Sequence, residues 1–107
     1  MKIKFIKKIL IGDTVFKIIY DKTYEGAEFH YATEKEKAYI KFGMKDYKNN
    51  QLGFIGMLIH ELKEIIQTEQ GSRIYNSSNN NFEFHYNHKE HQDLCSRLAG
   101  LLDQFIK

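Results

Sequence analysis

The spacing of apolar residues changes near residue 50, and this change constrains the fold of the 107-residue chain more than any other feature. Before residue 50, short runs rich in Ile, Val, Phe and Tyr are separated by polar breaks, which is typical of β-strands. After it, apolar residues recur three and four positions apart, as on one face of a helix; they are Leu52, Ile55, Ile59, Leu62 and Ile66. The sequence therefore predicts an α+β fold, with strands first and helices second.

The strands are expected within residues 2–42. Gly12 and Asp13 separate two apolar runs, which predicts a hairpin. The charged segment 33–37 separates two further alternating runs, which predicts a second hairpin. We therefore expect an antiparallel sheet of three to four short strands, and a brief additional edge strand at residues 82–86.

Two helices are expected in the second half of the chain. The first covers about residues 50–70 and is followed by a polar loop at residues 71–81. The second helix covers about residues 88–106. Asn87, with Glu90 three residues later, resembles a capping box at the start of this second helix.

The composition is that of an ordinary globular protein, with 42% hydrophobic and 28% charged residues. No linker or repeat divides the sequence, so residues 1–107 are expected to form a single domain. The 16 basic residues are balanced by 14 acidic ones and the lysines are spread along the chain, which argues against a nucleic-acid partner. A monomer or a weak dimer suits a protein of this size.

The N-terminal segment and the cysteine content bear on location. Apolar residues within residues 1–12 are interrupted by lysines, so no signal-peptide core is expected. No run approaches the roughly 20 apolar residues of a membrane span. Cys95 is the single cysteine, which excludes an internal disulfide and favours a reducing compartment. We expect a cytoplasmic protein that does not contact membranes.

The segment His60-Glu61-Leu62-Lys63-Glu64 is the part of the first helix that suggests chemistry. His60 and Glu64 are four residues apart, so they project side by side and could share one metal ion. Glu61 stands next to His60, on the side away from the apolar centre, where the zinc hydrolases of His-Glu-x-x-His type carry their general base. A carboxylate binds zinc about as closely as an imidazole does. The other interpretation is a solvated helix face, because His-Glu pairs are common.

Two glycines lie on the same arc of the predicted helix as His60 and Glu64. A glycine costs roughly 1 kcal/mol in a helix interior. The presence of Gly53 and Gly56 therefore predicts that backbone or a ligand closely approaches this face.

A cluster of histidines at the start of the second helix offers a third metal ligand, since zinc sites often combine two ligands from one element with one from another. His88, at the helix tip, is the first choice and His91 is the runner-up. A solvated imidazole cluster, or a hydrogen-bonded core histidine at position 91, is the other interpretation. His85 is expected to point away from the core. Cys95 falls on the same arc as His91 and a thiolate is a good zinc ligand, but its apolar surroundings favour a plain buried thiol.

The layout is similar to that of small zincin-like proteins of the gluzincin type, many of them from phages and mobile elements. The hairpin at residues 11–19 (Ile-Gly-Asp-Thr-Val-Phe-Lys-Ile-Ile) and the strand at 38–42 (Ala-Tyr-Ile-Lys-Phe) match its first half. Residues 57–66, Met-Leu-Ile-His-Glu-Leu-Lys-Glu-Ile-Ile, match its metal-site helix. Residues 84–88, Phe-His-Tyr-Asn-His, match the stretch that opens the last helix in the His-Glu-x-x-Glu branch.

The resemblance implies a zincin-like fold with His60, Glu64 and His88 as zinc ligands and Glu61 as the catalytic base. The implied function is that of a minimal zinc-dependent metallopeptidase-like hydrolase, which acts on a peptide or protein in the cytoplasm (of the host cell, if phage-encoded). The chain departs from the commoner motif at Glu64, where a second histidine is usual, and Lys63 adds a neighbouring cation.

A second hypothesis is a non-catalytic protein-binding module, such as a phage-encoded host-factor inhibitor, with or without a structural metal. Aromatic side chains supply contact area of the kind that protein interfaces favour. The aromatic residues in question are Tyr20, Tyr24, Phe29, Tyr31, Tyr39 and Tyr47.

Overall fold

The computed structural model describes residues 2–85 and 87–107. A four-stranded sheet is followed by two helices, with a small two-stranded sheet between them, so the predicted α+β class is confirmed. The elements are β1 (Lys8–Ile11), β2 (Thr14–Asp21), β3 (Ala27–His30), β4 (Tyr39–Gly43), a 3-10 turn (Tyr47–Asn49), α1 (Gln51–Gln70), β5 (Arg73–Asn76), β6 (Asn81–Phe84) and α2 (His88–Asp103).

The strand order of the four-stranded sheet is β1-β2-β4-β3. The β1/β2 pair is the predicted hairpin, and β3 and β4 also pair antiparallel. The central β2/β4 pair is parallel, with Ile18 opposite Ile40, so the prediction of an antiparallel sheet is wrong for this pair. The chain leaves β2, forms β3 at the edge, and returns as β4 between them. Strand periodicity alone does not specify this insertion.

The core lies between the inner face of this sheet and the two helices. Alternate residues of β2 and β4 point into it: Phe16, Ile18, Ile40 and Phe42. The ring centroid of Phe42 lies 5.5 Å from that of Phe54 on α1 and 6.5 Å from that of Phe105, just after α2. Buried aromatic pairs of this kind stabilise a core beyond their buried area. The sheet, α1 and the C-terminal segment therefore meet at Phe42.

Local capping interactions define both ends of α1. The Asn50 side chain accepts a hydrogen bond from the Gly53 N–H at 2.8 Å and caps the first turn. Gly71 ends the helix in the left-handed conformation, with φ 75°, and its N–H bonds back to the last turn. The helix Gln51–Gln70 agrees closely with the predicted range.

The buried face of α1 is rotated relative to the predicted stripe. Leu62 and Ile66 are buried as expected, but Leu52 is 80% exposed and Ile59 is 39% exposed. Other positions take their place in the core: Phe54, Leu58 and Ile65. The prediction is wrong at Leu52 and Ile59 because two overlapping apolar stripes satisfy the helical period, and only the sheet decides which one is covered.

No backbone from another described element closely approaches either glycine of α1. A side-chain carbon added at Gly56 meets nothing within 4 Å, and one added at Gly53 meets the capping side chain of Asn50. Within the described part of the chain, the prediction of an approaching backbone at this face is therefore wrong.

A hairpin occupies the segment that was predicted to be a polar loop at residues 71–81. β5 and β6 pair antiparallel across an Asn-Ser-rich turn, in which Asn80 adopts a left-handed conformation with φ 54°. The prediction misses β5 because its residues lack a buried, alternating face: Ile74 and Tyr75 are both exposed. The predicted strand at 82–86 begins one residue earlier, and Tyr86 lies outside the described residues.

The capped start of α2 is confirmed, because the Asn87 side chain accepts a hydrogen bond from the Glu90 N–H at 2.9 Å. The helix ends at Asp103 rather than at residue 106. Phe105 turns into the core, and Ile106 forms a bridge with Ile3. Neither helix in the described part of the chain has an apolar stretch of the length that a bilayer requires.

Truncation of one core side chain on α1 tests the observed rotation of this helix. The Phe54→Ala variant should lose about 3–5 kcal/mol of unfolding free energy, because it removes a ring that is 1% exposed and packs on Phe42. The Leu52→Ala variant, on the predicted stripe, should change it by less than about 0.5 kcal/mol. Urea denaturation measures both values, and equal losses would contradict the observed face.

Two alanine substitutions test the glycine assignments. Gly71→Ala should destabilise the protein by about 1–2 kcal/mol, because φ is 75° there. Gly56→Ala should stabilise it by up to about 1 kcal/mol, because the position is helical and open. Thermal unfolding distinguishes these signs, and a loss of stability at Gly56 would reveal a neighbour at that face.

Candidate metal centre

The histidine and the two glutamates of the His60–Glu64 segment lie in a shallow groove between α1 and the edge strand β3. Thr68 continues the α1 wall, residues 27–31 form the β3 wall, and Arg73 of β5 lies at the same groove. The groove exists because α1 crosses the inner face of the sheet and leaves one flank beside the edge strand.

Three metal-ligating side chains meet at this groove. One ligand atom from each of His60, Glu61 and Glu64 lies within 4.8 Å of the other two. Nε2 of His60 is 3.4 Å from Oε2 of Glu64, so the predicted one-turn neighbours are side by side. The His60 side chain is 67% exposed and that of Glu64 is 20% exposed, which leaves the pair accessible from solvent. One imidazole and two carboxylates form a donor set that suits a divalent cation such as Zn²⁺.

Glu61 is more buried than the sequence predicts. It lies on the α1 face that packs against the sheet, among positions such as Leu58 and Ile65, and is 5% exposed. Burial raises the pKa of its carboxyl, and the charge of Glu64 adds to this, whereas the neighbouring His60 opposes it. Among the described residues, no group donates a hydrogen bond to this carboxyl. A buried carboxyl without such a donor is costly when ionised.

Arg73 is a site residue that the sequence analysis misses. Its Nε is 3.9 Å from Oε1 of Glu64. The guanidinium carbon lies 3.7 Å from the ring centroid of Phe82 and 5.2 Å from that of Phe29, and these rings hold it against the groove. No sequence signal marks Arg73, because its strand β5 was expected to be a loop. A bound cation would share the Glu64 carboxylate with this guanidinium.

A second imidazole–carboxylate pair lies at the rim of the groove, on β3. Nε2 of His30 is 2.6 Å from Oε2 of Glu28, and this hydrogen bond lowers the pKa of Glu28. His30 is isolated in the sequence, and no pattern marks it as a site residue. The alternation of a strand explains the pair, because residues 28 and 30 point to the same side.

The structure does not bring His88 or His91 into the cluster of His60, Glu61 and Glu64. Among the described residues, only these three form a group of close donors. The first turns of α2 lie beside the end of α1, where Nε2 of Gln70 donates to the Glu90 carbonyl at 3.0 Å. Gln70 is ten residues beyond His60, or about 15 Å along the helix. Exposed His88 therefore begins a helix that packs near the far end of α1.

Cys95 is exposed, so the prediction of a buried thiol is wrong. Its Sγ lies 3.7 Å from Nε2 of His91, one turn earlier on α2. Leu94 takes the buried position, because the core-facing stripe of α2 is narrow and Cys95 is turned about 100° away from it. His85 is exposed as expected, and its Nε2 is 3.0 Å from Oε2 of Glu83.

Replacing Glu61 with glutamine tests the effect of burial in metal-free protein. Because the pKa is raised in the folded state, the folded protein keeps a proton that the unfolded chain has already released, and stability falls as pH rises through this interval. Glutamine cannot ionise. We therefore expect Glu61→Gln to be more stable than the wild type at about pH 8, with a smaller difference near about pH 4. Urea denaturation with a chelator present measures this difference.

Glu83→Gln is a control for which the expected change in stability has the opposite sign. Hydrogen bonds from Asn76 and His85 lower the pKa of its carboxyl, so the charged form of Glu83 stabilises the fold. Glu83→Gln should therefore lose stability above the usual pKa of glutamate. A Glu61→Gln variant that is less stable than the wild type at about pH 8 would contradict the stated effect of burial.

Comparison of the chain with protein-family models, with curated proteins and with solved structures finds no match. The resemblance to small zincin-like proteins therefore stays a prediction from sequence.

Proposed function

We propose that the groove beside β3 binds a divalent metal ion, with Zn²⁺ as the expected ion, and that the protein is a minimal metallopeptidase-like hydrolase. The observation that carries this proposal is the convergence of His60, Glu61 and Glu64, whose donor atoms lie within 4.8 Å of one another. The cytoplasmic location and the peptide or protein substrate expected from the sequence belong to the same proposal.

His60 and Glu64 are the residues that would hold the ion, because they are one helical turn apart and open to solvent. A divalent cation in such a site polarises a carbonyl oxygen and lowers the pKa of water. Catalytic zinc sites usually have three protein ligands. Since His88 lies outside the group, Glu61 is the remaining protein donor at the cluster and has two alternative roles, that of a ligand and that of a general base.

We assign Glu61 as the general base. Burial raises the pKa of this carboxyl, so it holds a proton more strongly than a solvated glutamate does, which suits a group that accepts a proton from water. Burial also fixes its position, because the side chain stands on the packed face of α1. Glu61 would take a proton from the attacking water and return it to the leaving group.

The edge strand supports a peptide as the substrate class. The outer edge of β3 pairs with no other described strand, so its backbone N–H and C=O groups are free to bind an extended chain. This edge and the His60 cluster line the same groove. A peptide paired to β3 would therefore pass beside His60 and Glu64.

Metal analysis tests the site. Protein titrated with Zn²⁺ should bind one equivalent, and both His60→Ala and Glu64→Gln should abolish stoichiometric binding, because each removes a donor. His85→Ala is the matched control, since it removes an exposed imidazole that also pairs with a glutamate, Glu83, at 3.0 Å. Elemental analysis and calorimetry measure the stoichiometry, and Zn²⁺ retained by both cluster variants would overturn the site.

Glu61→Gln separates the two roles of this carboxyl. If Glu61 is the base, the variant should keep its Zn²⁺ and lose cleavage of a mixed peptide library by at least about a hundredfold. If the variant loses Zn²⁺, Glu61 is a ligand and the assignment as the base is wrong. His88→Ala is measured alongside, and loss of Zn²⁺ there would show that α2 rearranges to supply a ligand.

A non-catalytic protein-binding module is the second candidate function. The observation in its favour is the β5–β6 hairpin, which exposes four large apolar side chains: Ile74, Tyr75, Phe82 and Phe84. Exposed apolar clusters commonly mark interaction surfaces. A protein that binds no metal would leave this candidate in place of the hydrolase.

A further inference from the structure

The face of the four-stranded sheet that points away from the helices is open to solvent. Ile9, Phe16 and Ile18 point inward and are buried, whereas their neighbours Leu10 and Val15 are 58% and 56% exposed. Sheets with one covered and one solvated face are common. The chemistry of the solvated face is therefore set by the outward residues of each strand.

A row of four outward residues crosses this face from one edge to the other. Lys8 is opposite Lys17, Lys17 is opposite Tyr39, and Tyr39 is opposite His30. Residues that are paired in this way point to the same side of a sheet. Like charges directly opposite each other, such as Lys8 and Lys17, destabilise a strand pair. The fold thus holds two ammonium groups together at one end of the row and two aromatic rings at the other.

The lysines of this face are not neutralised within the described residues. One open hollow is lined by four lysines and one acidic residue, Asp13: the lysines are Lys7, Lys8, Lys17 and Lys37. None of these four lysines forms an ion pair with a described residue, whereas Lys41 is 3.6 Å from Asp21. The chain also separates its charge: residues 1–50 contain 11 basic and 7 acidic side chains, and residues 51–107 contain 5 and 7. The sheet half is therefore positive and the helical half negative, although the whole chain carries only +2.

The two aromatic rings at the other end of the row stack on each other. The rings of Tyr39 and His30 have centroids 5.0 Å apart and an interplanar angle of 28°. A second hollow lies beside Tyr39, and Lys17, Lys37 and Lys41 line it. A flat ring next to several ammonium groups matches a nucleotide, whose base stacks on an aromatic ring while its phosphate binds a cation.

We propose that this open sheet face binds single-stranded nucleic acid. Lysine ammonium groups bind phosphates as point charges, and the stacked rings beside them offer a surface for a nucleobase that an acidic peptide does not use. A duplex hides its base faces, so the Tyr39–His30 stack favours a single strand. Asp21 and Glu36 line the second hollow. Glu28 points to the same side as His30, and its Oε2 lies 2.6 Å from Nε2 of that ring. These three carboxylates limit the affinity. The proposal departs from the expectation of no nucleic-acid partner, which rested on the charge balance of the whole chain.

Fluorescence anisotropy with a labelled oligothymidylate of about 12 nucleotides tests the proposal on the full chain. If three lysines each neutralise one phosphate, a plot of the logarithm of the association constant against the logarithm of the salt concentration should have a slope of about −2. The double variant Lys8→Gln/Lys17→Gln should bind at least about tenfold more weakly at low salt and reduce the slope by about 1.4. Lys48→Gln/Lys89→Gln is the matched control, with the same charge change on exposed lysines elsewhere, and should change affinity less than about twofold.

Substitutions at Tyr39 separate the contribution of ring stacking to binding from that of charge. Tyr39→Leu should weaken binding about tenfold without changing the salt slope, and Tyr39→Phe should restore it, because a phenyl ring also stacks. Circular dichroism checks that both variants fold.

Three results would overturn the proposal: no binding at low salt, equal weakening by the control lysine pair, or tighter binding of a polyglutamate peptide of equal charge. The last result would assign the face to acidic protein segments. His60→Ala and added chelator should leave binding unchanged, so failure of the metal site and failure of this surface can be distinguished.

Discussion

The packing of α1 on the inner face of the four-stranded sheet, centred on Phe54 and Phe42, sets the rotation of this helix about its axis. The positions of the three α1 side chains in the candidate site, His60, Glu61 and Glu64, follow from that rotation. It buries Glu61 among apolar side chains, which raises the pKa of its carboxyl. It also places His60 and Glu64 on the flank beside β3, where a groove keeps them open to solvent. A rotation of α1 that exposed Glu61 would remove the difference in burial between the carboxyls of Glu61 and Glu64.

The Glu64 carboxylate has two basic neighbours, one at each of its oxygens. The His60 imidazole lies 3.4 Å from one of its oxygens, and the Arg73 Nε lies 3.9 Å from the other. Contacts between Arg73 and the rings of Phe29 and Phe82 fix the guanidinium there, although its Nε–H donates no hydrogen bond to a described residue. A cation that binds Glu64 must therefore compete with the Arg73 guanidinium for this carboxylate. The β5–β6 hairpin, which supplies Arg73, would thus affect the affinity of the proposed metal site on α1.

The two proposed surfaces lie on different parts of the fold and have opposite charge. The groove beside α1 gathers carboxylates, whereas the open face of the sheet gathers lysines such as Lys8 and Lys17. The strand order makes this separation possible, because inserting β4 between β2 and β3 places Tyr39 next to Lys17. β3 contributes to both surfaces, with His30 on the open face and its outer edge along the groove.

The sequence by itself determined that four N-terminal strands precede two helices, the limits of α1 and the adjacency of His60 and Glu64. These depend on local rules: apolar period, capping by Asn50, termination at Gly71 and the one-turn spacing of a helix. Only the tertiary structure decided that β2 and β4 are parallel, that α2 starts beside the far end of α1, and that Arg73 reaches the site. These features join residues distant in sequence, so periodicity carries no information about them; packing across the sheet selects among the arrangements that the same pattern allows.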